Sequence, residues 1–129
     1  MIEDQVKELA REANYAALTT LSLSGRPMTH LMWVDCDAEH VIVNTEIHRA
    51  KYRNVEHDPR VAIVIWDDED PYRYVEVRGR VVESVRGPEA RRHIDELSHK
   101  YTGAVYANPI ESERVILRIL PSRQRAAGG

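Results

Sequence analysis

The sequence predicts a mainly β protein of the α+β class, built as a six-stranded antiparallel β-barrel with flanking helices. Short apolar or alternating runs recur along the chain with turn residues between them, which is typical of strands joined by tight turns. Three other segments have helical character and lie near the start, the middle and the end of the chain. The 129 residues, 43% of them hydrophobic, are enough for one core.

The N-terminal half of the sequence predicts one helix, then three strands, and then a second, short helix. Residues 2–13 place apolar side chains at helical spacing and predict an amphipathic helix. Residues 16–23 and 28–36 flank the turn Ser24-Gly25-Arg26-Pro27, so we expect them to form an antiparallel hairpin. Residues 40–45 form a third strand, which leads into a short helix that ends before Asp58-Pro59.

The C-terminal half predicts three strands and one helix. Residues 61–66 are continuously apolar and predict a strand buried on both faces, whereas residues 73–85 alternate between apolar and polar side chains. Pro88 begins a helix that runs to about Tyr101, and a strand over 114–120 closes the domain. We therefore expect a single domain over residues 1–121 and a loose C-terminal tail over 122–129.

Composition and motifs exclude several classes of protein. The net charge of −3 argues against a general nucleic-acid-binding protein. One cysteine, Cys36, allows neither an intrachain disulfide nor a cysteine zinc site, and it suits a cytoplasmic location. We expect no membrane span and no signal peptide, since no apolar run reaches about 18 residues. The six histidines lack the pair spacings of zinc sites, and no nucleophile, phosphate-loop or dinucleotide motif is present. Neither a metal site nor a catalytic side chain is predicted.

The short helix after residue 48 carries its charges in the reverse of the usual order. Arg49, Lys51 and Arg53 crowd its start, while Glu56 and Asp58 lie at its end. Each reversal costs ~0.3–1 kcal/mol at an exposed terminus, because the helix start carries partial positive charge. A bound anion such as phosphate would remove the conflict. A solvated basic patch is the alternative interpretation.

The three cations of this helix are not equivalent. Lys51 lies four residues before Val55, so it should sit at the edge of the core-facing side and point toward the anion. Arg49 occupies the first turn and can reach the same anion, whereas Arg53 should face solvent.

The residues resemble the split barrels of the pyridoxamine 5'-phosphate oxidase type, which bind flavins and deazaflavins, and within them the reductases that use coenzyme F420. The resemblance covers most of residues 15–85, and the string from Arg49 to Val61 is its most specific part. Leu31 stands where many relatives have proline. The other matching segments are Leu18-Thr19-Thr20, Gly25-Arg26-Pro27, Trp33, Asn44-Thr45 and Glu76-Val77-Arg78-Gly79.

The resemblance implies the FMN-binding split-barrel fold and a homodimer with the cofactor at the subunit interface. It implies that Thr29, His30, Leu31, Met32 and Trp33 contact the tricyclic ring and that Asn44 and Thr45 line the cofactor chain. It further implies that Arg49, Lys51 and Asn54 hold the phosphate, and that Trp66 and Tyr74 reach the cofactor of the partner subunit.

The function implied is that of a coenzyme F420-dependent oxidoreductase, which transfers a hydride between the deazaflavin and a small unsaturated or quinone-like substrate. Two alternatives stay open: an FMN-dependent enzyme like pyridoxamine-phosphate oxidase, and a non-catalytic barrel that binds a flavin, haem or tetrapyrrole. The cofactor carries the chemistry in either enzyme. The proton then comes from water or from a nearby group such as His30, Tyr101 or Tyr106.

Overall fold

The computed structural model describes residues 1–127, which form one antiparallel sheet and three α-helices. The strands follow the order β2-β1-β5-β6-β7-β4-β3 across the sheet. In chain order the elements are α1 (Asp4–Arg11), β1 (Tyr15–Leu21), β2 (Pro27–Trp33), β3 (Asp35–Cys36), β4 (Val41–Glu46), α2 (Ala50–His57), β5 (Arg60–Trp66), β6 (Tyr74–Arg86), α3 (Pro88–Thr102) and β7 (Arg114–Ala127). The predicted class and the antiparallel pairing are confirmed.

The two edge strands of the sheet are consecutive segments of the chain. β2 pairs with β1 and β3 pairs with β4, at opposite ends of the strand order, yet only Val34 separates them. The sheet must therefore curl until its two edges meet at Val34. This bend divides the predicted strand over 28–36 into two, so the sheet has seven strands where the sequence predicts six.

The core lies inside the curled sheet. Alternate residues of β5, namely Val61, Ile63 and Ile65, are buried there, and α1 covers the core with Val6 and Leu9. The residues between them on β5 are partly exposed, so the prediction that both faces of residues 61–66 are buried is wrong. A strand of an antiparallel sheet can be buried on one face alone, and an apolar sequence does not decide between the two cases.

β7 continues well beyond its predicted end at residue 120. It pairs with β6 as far as Ala127, so the prediction of a loose tail is wrong for residues 122–127, while residues 128–129 lie outside the described part. Pro121 lies at a register shift opposite Gly79, where a residue without an N–H donor is tolerated. The Gln124 side chain then bonds the backbone of Met1 and Glu3 and ties the strand to the N-terminus.

α3 covers the outer face of β4. Ala90 packs against Ile42 of β4 and Ile116 of β7, and all six residues of β4 are buried between the core and these outer contacts. The helix ends at Gly103, whose φ of 78° lies in the left-handed region that glycine adopts readily. None of the helices within residues 1–127 combines the length and the apolar character that a membrane crossing requires.

Gly79→Ala should destabilise the fold. A Cβ atom at Gly79 would lie 2.2 Å from the backbone oxygen of Leu120, so β6 and β7 would have to move apart. We expect the free energy of unfolding to fall by about 1–3 kcal/mol in urea denaturation. Val82→Ala, at an exposed position of the same strand, should change it by less than about 0.5 kcal/mol. Equal denaturation midpoints for the two variants would contradict this close approach of the strands.

Candidate functional site

A cleft of about 330 Å³ lies between β2, the end of β4, the start of α2, α3 and the segment that precedes β7. We call it the site cleft. It has an aromatic wall and a cationic end. Its lining residues are Tyr15, Leu31, Met32, Trp33, Asn44, Thr45, Arg49, Lys51, Ile94, Tyr106, Asn108 and Arg114.

Trp33 forms the aromatic wall, and two tyrosine rings pack against it. Its ring stacks on Tyr101, with ring centres 5.0 Å apart and planes at 6°, and the Tyr106 ring stands at 83° to it with ring centres 6.2 Å apart. The Tyr101 hydroxyl donates to the carbonyl of Asn14 and accepts from the Val34 N–H at 3.1 Å. Burial raises the pKa of Tyr101 to about 12. Tyr101 therefore supports the wall, and its hydroxyl is already committed to the backbone.

Three cations meet at the other end of the site cleft. Arg49 and Lys51 come from the start of α2, and Arg114 comes from the start of β7. Burial lowers the pKa of Lys51, and the charges of Arg49 and Arg114 lower it further. Within residues 1–127, the ion pairs of this region include Arg114 with Glu46 at 3.5 Å but none that involves Arg49 or Lys51. The cationic end thus carries an excess of positive charge.

Arg114 is the main site residue that the sequence reasoning missed. Its side chain is 8% exposed, its Nε donates to Asn44 Oδ1 at 2.8 Å, and its guanidinium lies 5.2 Å from the centre of the Tyr106 ring. The available signal was a charged residue at the head of the apolar run Val115-Ile116-Leu117. The loop residue Asn108 gave no comparable signal, because loops lack a periodic pattern, and Tyr106 was predicted only as a possible source of the proton.

Seven predicted site residues line the site cleft: Leu31, Met32, Trp33, Asn44, Thr45, Arg49 and Lys51. His30 lies near its cationic end, where burial, Lys51 and Arg49 together lower the pKa of its ring. The Nδ1 atom of His30 is buried without a hydrogen-bond partner in the described structure. Thr29 instead bonds Thr19 across the β1–β2 pair, with 2.8 Å between their hydroxyls.

The remaining predicted residues lie elsewhere in this chain. The Asn54 amide is buried and donates to the Thr20 hydroxyl at 2.9 Å, which links α2 to β1. Trp66 and Tyr74 line a second cleft of about 610 Å³, together with Glu76 and Arg125. The structure therefore does not bring Asn54, Trp66 or Tyr74 to the lining of the site cleft, and their roles toward a cofactor stay predictions.

The protein is a curled antiparallel sheet with a cleft whose aromatic wall and cationic end suit a flat, anionic ligand. Residues 2–126 match the pyridoxamine 5'-phosphate oxidase family, and the chain belongs to that family. A search of curated proteins finds no match.

Solved structures give the same assignment of fold. An F420 reductase is 30% identical with a TM-score of 0.83, over 96% of this chain and 98% of that one. A conserved hypothetical protein from Mycobacterium tuberculosis is 25% identical with a TM-score of 0.77, over 98% of this chain and 84% of the other. HutZ, a haem storage protein from Vibrio cholerae, is 16% identical with a TM-score of 0.65, over 98% and 94%. This last likeness concerns the fold alone.

Glu46 should make the stability of the protein depend on pH in the acid range. Its carboxylate is 2% exposed and accepts from the N–H groups of Glu111 (2.8 Å) and Ser112 (2.7 Å). Burial alone raises the pKa of Glu46, but these hydrogen bonds and Arg114 outweigh it, so the pKa lies below its usual value. The folded state therefore binds this proton less readily than the unfolded chain does. The stabilisation is present above pH ~4.5 and is lost as the pH falls through the folded pKa.

We accordingly expect the free energy of unfolding of Glu46→Gln to vary less between pH ~5 and ~3 than that of the unmodified protein. Urea denaturation across this range measures the slope. Glu96→Gln, at an exposed position of α3, should keep the original slope. A Glu46→Gln slope as steep as the original would show that other carboxylates cause the acid sensitivity.

Proposed function

We propose that this chain is a coenzyme F420-dependent reductase that transfers a hydride between the deazaflavin and a small unsaturated or quinone-like substrate. The observation that carries the proposal is the placement of the flat Trp33 wall beside the cations Arg49 and Lys51 in one cleft. The 30% identity with an F420 reductase over nearly the whole chain supports it.

The residues present fit a phosphorylated tricyclic cofactor. Trp33 and Leu31 offer an apolar surface to a ring, and Leu31 is 66% exposed, so it is free to contact one. The lowered pKa of Lys51 reflects burial and the repulsion among three cations, which a bound phosphate would relieve. The unpartnered Nδ1 of His30, close to the same cations, is one more polar atom that a ligand could satisfy.

In this proposal the bound deazaflavin supplies the hydride chemistry. Lys51 and Arg49, with the start of α2, hold the phosphate, while Asn44 and Thr45 line the path between phosphate and ring. These contacts would orient the ring in the cleft that Trp33 lines. Orientation of this kind can lower a barrier by ~7–11 kcal/mol without a catalytic side chain. The proton comes from water, or from His30 or Tyr106, since the Tyr101 hydroxyl is already used.

FMN is the second candidate cofactor. Its terminal phosphate would carry close to two negative charges at neutral pH, which the cluster of Arg49, Lys51 and Arg114 could also neutralise. An FMN-dependent oxidase would use the same wall and the same cationic end.

Titration of the purified protein with coenzyme F420 and with FMN, followed by fluorescence, tests the proposal. We expect F420 to bind more tightly, and the bound reduced form to be oxidised by a panel of quinones and activated alkenes. Tighter binding of FMN would transfer the proposal to the second candidate. Tight F420 binding without turnover by any acceptor would indicate a carrier instead of an enzyme.

Lys51→Ala should weaken cofactor binding more than Arg53→Ala does. Lys51 lines the site cleft, whereas Arg53 is exposed on the outer side of α2. Loss of one charged hydrogen-bond partner costs about 1.5–3 kcal/mol, which is roughly 10- to 150-fold in dissociation constant. Arg53→Ala is the matched control and should change affinity less than about threefold. Equal affinities for the two variants would refute the assignment of Lys51 to the phosphate.

We also propose a homodimer in which Trp66 and Tyr74 of one subunit reach the cofactor of the other. On this chain the two residues line the second cleft, beside the partly exposed outer face of β5 and β6. Light scattering at micromolar concentration should report twice the mass of the 14.8 kDa chain. A stable monomer that still binds cofactor with full affinity would contradict the shared site.

A further inference from the structure

A line of polar contacts runs from α3 to the cationic end of the site cleft. His93 on α3 places its Nδ1 atom 3.0 Å from Asn44 Nδ2, and Asn44 Oδ1 accepts from Arg114 Nε at 2.8 Å. Asn44 and Arg114 line the site cleft, whereas His93 does not, and its side chain is 11% exposed. His93 thus contacts a residue that lines the site cleft without lining the cleft itself.

The contacts of Asn44 fix the orientation of its amide. A guanidinium can only donate, so the oxygen of Asn44 must face Arg114. The Ala90 carbonyl can only accept, and it lies 3.0 Å from Asn44 Nδ2, so the NH₂ group must face α3. His93 Nδ1 therefore has to act as an acceptor, which requires a neutral ring with its proton on Nε2.

Of the two neutral tautomers of His93, Asp35 favours the one with its proton on Nε2. Its Oδ2 atom lies 3.8 Å from His93 Nε2, which is otherwise buried without a hydrogen-bond partner in residues 1–127. Burial raises the pKa of Asp35, but interactions with His93, the Cys36 N–H and Lys100 outweigh it, so the carboxylate is charged at neutral pH. A carboxylate beside one ring nitrogen holds the proton there and leaves the other nitrogen free to accept.

We propose that His93 is a positioning residue, which together with the Ala90 carbonyl fixes the Asn44 amide and through it holds the Arg114 guanidinium at the cationic end of the site cleft. Arg114 has a competing partner in Glu46, whose Oε2 lies 3.5 Å from Nη1. If Asn44 turned away, Arg114 would move toward Glu46 and its charge would be neutralised before it reached a ligand. This role rests on the proposed function, since it assigns Arg114 to an anionic group of the cofactor.

The first part of the experiment tests the polar contacts among His93, Asn44 and Arg114 without any cofactor. Long-range ¹H–¹⁵N NMR of the labelled protein near pH 7.5 should show His93 neutral, with its proton on Nε2. The Arg114 Nε–H signal should exchange slowly with water because Asn44 holds it. His93 protonated on Nδ1, or a rapidly exchanging Arg114 Nε–H, would overturn the proposal.

The second part measures the dissociation constant of coenzyme F420 for matched variants. His93→Leu keeps the volume but removes the acceptor, and it should weaken binding about tenfold or more. His93→Asn places an oxygen near the position of Nδ1 and should restore affinity to within about threefold. In an Arg114→Met background, His93→Leu should change the dissociation constant by less than about twofold, because the effect of His93 passes through Arg114. Additive effects in this cycle, or equal affinities for His93→Leu and His93→Asn, would overturn the proposal.

The two parts separate failure of the proposal from failure of the proposed function. If the unmodified protein binds no F420, the proposed function fails, and the same variant cycle is then measured with FMN. If His93→Leu does not fold, the NMR result on the unmodified protein and the affinity of His93→Asn still decide the role of His93. If the Arg114 Nε–H still exchanges slowly in a folded His93→Leu variant, Asn44 holds Arg114 without His93, and the proposal is overturned.

Discussion

The end of α3 holds the bend at Val34, where the two edge strands of the curled sheet meet, and the shape of the site depends on this contact. Lys100 donates to the carbonyl of Val34, and the Tyr101 hydroxyl accepts from its N–H group. These two side chains satisfy backbone groups at the point where β2 ends and β3 begins, which the sheet ladder would otherwise leave unpaired. Lys100 also bonds the Ala10 carbonyl, so the end of α1 joins the same point.

The last turn of α3 also fixes the aromatic wall of the site cleft. The ring of Tyr101 lies flat against Trp33 because its hydroxyl is anchored to the backbone on either side. A ring with a fixed support loses little freedom when a flat ligand stacks on it. One short segment therefore holds the chain at the bend between the two edge strands and supports the surface available for binding.

The electrostatics of the site depend on a balance between burial and pairing. Burying Arg114 is costly, and Glu46, Asn44 and the ring of Tyr106 compensate part of that cost. Lys51 is half-buried beside the exposed Arg49 and forms no ion pair within residues 1–127. The excess charge is unfavourable for the empty protein and favourable for an anionic ligand, which is the usual relation between stability and function at a binding site.

The sequence by itself predicted the antiparallel class, the three helices and the cationic start of α2. Strand alternation and helix-end charges are local properties, readable over a few residues. It could not show that β7 extends to Ala127, because the polar residues after Pro121 resemble a tail until β6 is seen to pair with them. Seven of the residues predicted for the site do line the cleft, but the contribution of Arg114 and Asn108 was decided by the tertiary structure alone. Register places Glu46 opposite Arg114, and α3 brings His93 to Asn44, across separations of 68 and 49 residues that leave no local pattern.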